Sequence, residues 1–242
     1  VKAYFALSAE QAPASEGEYP IVIFNPHPYA LSENIECEFM LADQNWNGEI
    51  ESTLTVLDSS GNAVPYQLIK EESNLDLDWR KRIIFKADMA PLSLTRYSVY
   101  VEYKEKKVKE RSDAFVFDNG RKYVKINPET GLLESYRIDG TEYLSEGFGL
   151  VSFDDNADPW AMGRHQLLRV GENERAFTTS AKPQGVFQGM KSVQIIEDGD
   201  IYLGIEAFFE QDNTRARILY KIYKNNDDID VAVNLYLGDV NR

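Results

Sequence analysis

The sequence predicts an all-β protein made of two antiparallel β-sandwich units, and three observations carry that expectation. Period-2 alternation of apolar and polar side chains recurs along most of the chain, whereas helical periodicity is almost nowhere to be found. Clusters of turn-forming residues separate the alternating runs at hairpin spacing. One charged stretch, Lys104 to Arg111, interrupts the rhythm, which then restarts.

The first unit, residues 1–108, opens with the short apolar strand Pro20 to Phe24, stopped by Asn25-Pro26-His27-Pro28, because proline cannot continue a ladder. Ile35 to Leu41 alternates acidic and apolar side chains, the pattern of a half-buried strand. Cys37 lies in this run and reads as a small buried hydrophobe. Leu54 to Leu57 leads into the turn cluster Asp58-Ser59-Ser60-Gly61-Asn62, after which Val64 to Ile69 returns. Arg82 to Ala87 and Tyr97 to Tyr103 complete a sandwich of roughly seven strands.

The charged run that follows holds a single apolar residue, Val108. It reads as a surface linker, with a solvated edge strand as the alternative. The second unit, residues 109–242, is predicted to place strands at Ala114 to Phe117, Lys122 to Ile126, Gly131 to Ile138 and Leu150 to Phe153. Further strands are expected at Gly185 to Ile196, Ile201 to Glu210, Arg215 to Tyr223 and Ile229 to Leu237. Asp118-Asn119-Gly120, Asp139-Gly140, Asp198-Gly199-Asp200 and Asn225-Asn226-Asp227-Asp228 supply the turns. The chain stops soon after a strong strand with no closing element, so this larger unit reads as truncated.

Composition bounds the function. A chain of 242 residues with 43% hydrophobic side chains can bury a substantial core, and no apolar run is long enough to span a bilayer. Forty acidic residues against 26 basic ones give a net charge of −14. Such a surface repels phosphate backbones and anionic headgroups, which argues against nucleic-acid and membrane partners. The single cysteine rules out an internal disulfide and a multi-cysteine zinc site, and is consistent with a reducing, cytoplasmic location. His27 and His165 are the only histidines and show no metal-ligand spacing, so the chain itself is expected to carry no cofactor. No nucleophile elbow and no phosphate-cradling glycine loop occurs.

One loop brings suggestive chemistry together. Asp154, Asp155 and Asp158 lie beside Pro159-Trp160, with Arg164 and His165 close behind. Carboxylates bind sugar hydroxyls through charge-assisted hydrogen bonds, and an indole stacks on the apolar face of a pyranose. Two readings stand side by side: a sugar-binding loop, or an ordinary polar loop with Trp160 anchored in the core. Asp78-Trp79-Arg80 repeats the theme, but a cross-strand ion pair beside a packed indole is the plainer account there.

Specific stretches resemble a known family. Pro20-Ile21-Val22-Ile23-Phe24-Asn25-Pro26 resembles the strand that opens the β-region after the catalytic part of family 38 glycoside hydrolases, the α-mannosidases. The segment from Phe117 through Gly120 and Gly131 to Ser135 resembles the start of that family's large sandwich, and Asp158-Pro159-Trp160 fits its Asp-rich loop. The resemblance runs from about Pro20 to Arg242 and rests on the order and spacing of short motifs.

It implies a second unit akin to the galactose mutarotase sandwich. It also implies that this chain is a non-catalytic C-terminal region of a zinc-dependent, retaining α-mannosidase. The zinc ligands and catalytic carboxylates of that family belong to an N-terminal domain that nothing here matches, so no catalytic or metal role is carried to any residue. The chain alone is expected to be inactive. Its partners would be the catalytic domain of the same polypeptide and an α-mannoside at the rim formed by Asp154, Asp155, Asp158, Trp160 and Arg164. Surfaces that would meet the catalytic domain also allow homo-oligomers. A free-standing carbohydrate-binding or interaction sandwich is the alternative.

Overall fold

A computed structural model of the protein describes residues 11–71, 78–106, 114–145, 149–152, 175–176, 178–179 and 191–238. Among these the chain is all-β and antiparallel, without a helix. It divides into two compact units, Val1–Glu110 with Gly199–Ile201, and Arg111–Asp198 with Tyr202–Arg242.

The first unit contains six described strands rather than about seven: β1 (Glu18–Asn25), β2 (Leu31–Asn45), β3 (Ile50–Leu57), β4 (Tyr66–Ile69), β5 (Asp78–Met89) and β6 (Ser93–Glu105). They form two three-stranded sheets, ordered β1-β6-β3 and β2-β5-β4. Leu54 and Val56 of β3, Tyr97 and Val99 of β6, and Ile83, Phe85, Ala87 and Met89 of β5 share one core, which makes the unit a sandwich. Each fully buried aliphatic side chain of this core contributes about 1.5–3 kcal/mol. Pro20 sits in β1 without breaking the ladder, because β1 is an edge strand and its outer side needs no donor.

Every predicted strand of this unit exists, and most are longer than the sequence suggested. The extensions are polar segments whose backbones pair although their side chains stay in water. Lys104 and Glu105 are a case in point. Instead of opening a linker they continue β6, opposite Glu51 and Ile50, and the amide of Lys106 donates to the Glu49 carbonyl at 2.7 Å. Cys37 packs against the core as a small hydrophobe, and burial pushes its thiol up to about 11.

The turn after β1 is held by one side chain. Asn25 is 1% exposed. Its Nδ2 donates to the carbonyls of Tyr29 and Ala90, both at 2.9 Å, and its Oδ1 accepts from the amide of His27 at 3.0 Å. Three of its four hydrogen-bonding positions are used, so the amide stays buried at little cost. His27, expected to be an ordinary loop histidine, stacks on Tyr29 with ring centroids 5.1 Å apart.

In the second unit, β7 (Val116–Asp118), β8 (Lys122–Ile126), β9 (Leu133–Ile138) and β10 (Thr141–Glu142) form a meander ordered β10-β9-β8-β7. Asp139 and Gly140 both have positive φ, the conformation of a two-residue hairpin turn. β11 (Val151–Ser152) pairs with β12 (Arg175–Ala176). A larger sheet is built on β13 (Thr178–Thr179), β14 (Val193–Asp198), β15 (Tyr202–Gln211), β16 (Thr214–Tyr223) and β17 (Ile229–Tyr236). Here β13 and β14 share one edge of β15, and β16 and β17 follow on its other side.

Val124, Ile126 and Leu133 from the meander and Ile205, Ala207, Ile218, Tyr220 and Ile222 from the larger sheet make one core. β9 begins at Leu133 rather than Gly131 because Gly131 turns in the left-handed region at φ 67°. A side chain there would place its Cβ 2.8 Å from that of Ala207, so only glycine fits.

Candidate functional site

The loop carrying Asp154, Asp155, Asp158, Trp160 and Arg164, and His165 beyond it, lies outside the described residues. The site that the described residues do form lies in the first unit, around the second tryptophan-containing segment that the sequence singled out, Asp78-Trp79-Arg80.

β2 and β5 pair continuously from Leu31↔Met89 to Met40↔Arg80 and then lose register, resuming at Asn45↔Asp78. The extra residues on β2 form a bulge, in which Leu41 stays buried and backbone polar groups find partners. Trp79 Nε1 donates to the Leu41 carbonyl at 3.1 Å, and the Ala42 amide donates to the Tyr19 hydroxyl at 2.9 Å. The packed indole expected at Trp79 therefore also caps the bulge. Arg80 is paired across the strands with Glu38 at 3.3 Å, and Arg82 with Glu36 at 2.9 Å.

The bulge brings Asp78 beneath the β2–β3 turn. Its Oδ1 accepts from Ser52 Oγ at 2.7 Å and from Lys81 Nζ, and its Oδ2 accepts from Asn45 Nδ2 at 2.9 Å and the Ser52 amide at 2.8 Å. Burial raises the pKa of Asp78, but the hydrogen bonds from Asn45, Lys81 and Ser52 outweigh it and leave the carboxyl below its ordinary value. Asp78 is thus an ionised structural anchor. It holds the base of the turn and has no lone pair left for acid–base work.

The turn above it is pinned twice over. Asn45 donates a second hydrogen bond to the Ile50 carbonyl at 2.7 Å and accepts one from the Asn47 amide at 3.0 Å. Asn47 in turn accepts from the Glu49 amide at 3.0 Å, and its carbonyl accepts from the Ile50 amide at 3.1 Å. Such side-chain-to-backbone bonds are why asparagine favours turns. Between the two asparagines stands Trp46, 74% exposed, with no ring contact or hydrogen bond among the described residues.

Trp46, Asn47, Asp78, Lys81 and Lys106 help to line an open cleft of about 320 Å³. That is within the range of small-ligand sites, at its lower end. Charges of both signs stand in its wall and are largely matched where they stand, Lys81 by Asp78 and Lys70 by Glu71 at 2.8 Å. The arrangement offers a flat aromatic face and a ring of fixed donors and acceptors.

Sequence reasoning passed over Trp46. The signal was present in Asn45-Trp46-Asn47-Gly48, a turn tetrapeptide in which an indole has few ways to be buried.

Among the described residues no group of three or more His, Cys, Asp or Glu side chains could hold a metal ion. The zinc that the family resemblance implies therefore has no fitting ligand set among them. No helix of the described residues is long and apolar enough to cross a membrane. Comparison with protein-family models and with curated proteins returned no match.

Proposed function

We propose that the chain is a non-catalytic β-sandwich region of a zinc-dependent, retaining α-mannosidase. In this reading it packs against the catalytic domain of the same polypeptide and completes the rim of the sugar site through Asp154, Asp155, Asp158, Trp160 and Arg164. The observation that carries it is the order of two motifs. A strand runs into Asn25-Pro26 in the first unit, and a strand, a glycine turn and two further strands follow from Phe117 to Ser135 in the second. The geometry lends support at Asn25, where the amide locks the exit of β1 in a way that neither aspartate nor a hydrophobe would reproduce. The low pKa and filled hydrogen-bonding capacity of Asp78 suit a region that does no proton transfer itself.

The test is an aryl α-mannoside assay on the product of the complete reading frame and on this chain alone. The complete protein is expected to show chelator-sensitive turnover and the isolated chain none. Chelator-sensitive turnover by the isolated chain, or an upstream reading frame without a catalytic domain, overturns the reading. In the complete protein, Asp158→Ala and Trp160→Ala are expected to raise KM or lower kcat with the melting temperature unchanged.

A free-standing carbohydrate-binding sandwich is the second reading, and the exposed indole of Trp46 favours it. The upstream reading frame separates the two.

A further inference from the structure

We infer that the cleft lined by Trp46 is a saccharide-binding site: a pyranose ring stacks on the indole while its hydroxyls exchange hydrogen bonds with the wall. The site lies wholly in the first unit.

Three observations point to a sugar. The first is the cost of the indole's position. Tryptophan is the largest apolar side chain, and Trp46 stands 74% exposed without a ring contact or hydrogen bond among the described residues. A sugar's C–H face is the kind of surface that covers an indole face while leaving its edge in water.

The second is rigidity. Asn45 and Asn47 bracket Trp46 and fix the turn through three side-chain hydrogen bonds to backbone, two made by Nδ2 and Oδ1 of Asn45 with Ile50 and Asn47 and one by Oδ1 of Asn47 with Glu49, and Asn45 anchors the network below on Asp78. Asp78 in turn accepts from the Ser52 amide at 2.8 Å. A platform fixed before binding loses little entropy when ligand arrives.

The third is charge. Four of the wall's five lysines and arginines are matched by acids where they stand, Lys81 by Asp78, Lys70 by Glu71, Arg80 by Glu38 and Arg82 by Glu36, and the fifth, Lys106, shares the wall with the acid Glu51. A charge-balanced wall gives little net attraction to a phosphate or a cation. Glu51, the Nζ of Lys106 and the Nδ2 of Asn47, which make no side-chain hydrogen bond or ion pair among the described residues, supply acceptors and donors that a neutral polyhydroxylated ring can satisfy in both directions. At about 320 Å³ the cleft holds one or two sugar rings rather than a long chain.

The experiment uses the 242-residue chain labelled with nitrogen-15 and follows its three tryptophan indole N–H resonances, that of Trp46 being assigned by its loss in Trp46→Phe. The probes are α-linked mannobiose, cellobiose and N,N′-diacetylchitobiose, with inorganic phosphate as the anionic control. The Trp46 resonance is expected to shift saturably with at least one disaccharide and not with phosphate. Trp46→Ala is expected to weaken that binding about tenfold or more, the loss of one stacking face, without moving the melting temperature. Trp46→Tyr should restore part of it.

Silence toward all three disaccharides overturns the inference, as does unchanged affinity in Trp46→Ala or an equal response to phosphate. The choice of mannobiose as a probe rests on the α-mannosidase reading, and the outcomes separate the two. Binding of cellobiose or diacetylchitobiose without mannobiose upholds the cleft and counts against the mannoside reading. Silence of every disaccharide beside chelator-sensitive mannosidase activity of the complete protein removes the cleft and leaves that reading standing.

Discussion

A carboxylate of the first unit and an ammonium of the second are held in opposite ways. In the first, Asp78 is surrounded by side chains, with Asn45, Ser52 and Lys81 each contributing from a different point of the chain. In the second, Lys122 is 0% exposed, and its ammonium is received by backbone alone. Nζ donates to the carbonyls of Tyr223 at 3.0 Å, Asn226 at 3.4 Å and Asp228 at 2.7 Å, all around the β16–β17 turn. A side-chain network can be cut one partner at a time, and each cut orphans a charge. A carbonyl cradle depends on the path of the main chain, so only a change in that path or in the lysine disturbs it. The first arrangement leaves an open cleft beside it, and the second seals a turn.

The comparison can be broken most severely at Gly131, where the second unit's core meets main chain. Gly131→Ala is expected to destabilise that unit by roughly 2–5 kcal/mol. About 1–2 of this comes from a left-handed φ and about 1–3 from pushing a methyl against Ala207 and Phe209. Denaturant titration should show it as a lowered midpoint. An unchanged midpoint would mean that the turn relaxes freely and that the core there is looser than its contacts imply.

In the first unit the matching cut is Lys81→Met, which strips Asp78 of its counter-ion. A fully buried pair loses about 3–5 kcal/mol when one partner is removed, and this half-buried one should lose less, about 2–3. Asp78→Asn added to Lys81→Met should recover part of that, because a neutral amide can remain beside Asn45 and Ser52 without a counter-ion. If the double variant is as unstable as the sum of the single ones, Asp78 and Lys81 act independently and the network description fails.

The pH dependences of the two units should share a sign and differ in cause and window. Glu18 of β1 accepts from the Ser15 amide, from Ser98 Oγ and from Arg96, and these bonds hold its carboxyl down at about 2 against an ordinary 4.5. A depressed carboxylate contributes stability above its unfolded pKa, and that contribution drains away as pH falls from about 4.5 toward 2. Glu18→Gln should flatten the acid limb of a stability–pH curve.

Lys122 gives the same sign from the opposite cause, a penalty on the charged form rather than a stabilisation of it. Burial pushes its ammonium down to about 8 from 10.5, so between those values the unfolded chain binds the proton that the folded chain has released. Its contribution to stability therefore rises as pH climbs through that window. The stability difference between the parent chain and Lys122→Met should move in favour of the parent from pH 8 to 10.5 and lie flat below it. A flat difference throughout would show that the three carbonyls hold the ammonium as firmly as water does.

Much of this architecture is legible in residue order. Arg215 to Tyr223 alternates so regularly that its buried face can be read off directly, and Asp139-Gly140 announces its hairpin. The short strand β10 was not legible, because two polar residues carry no periodicity and pair only because a neighbouring strand is already in place. The extension of β6 through Lys104 and Glu105 escaped for the same reason, since charged side chains say nothing about where their amides bond. Of the candidate site, Asp78 and Trp79 could be singled out from the sequence, but their roles could not.

What the sequence determined by itself is the all-β class and the position of most strands, because apolar alternation acts over neighbouring residues and needs no distant partner. The cleft was decided by tertiary structure alone. Asn45, Ser52, Asp78 and Lys81 lie on three strands, and nothing local marks them as partners. They meet because the register of β2 on β5 breaks after Met40 and resumes at Asn45. Burying Asp78 is tolerable only when all of those donors arrive together, and that condition is set by the pairing of strands far apart in the chain.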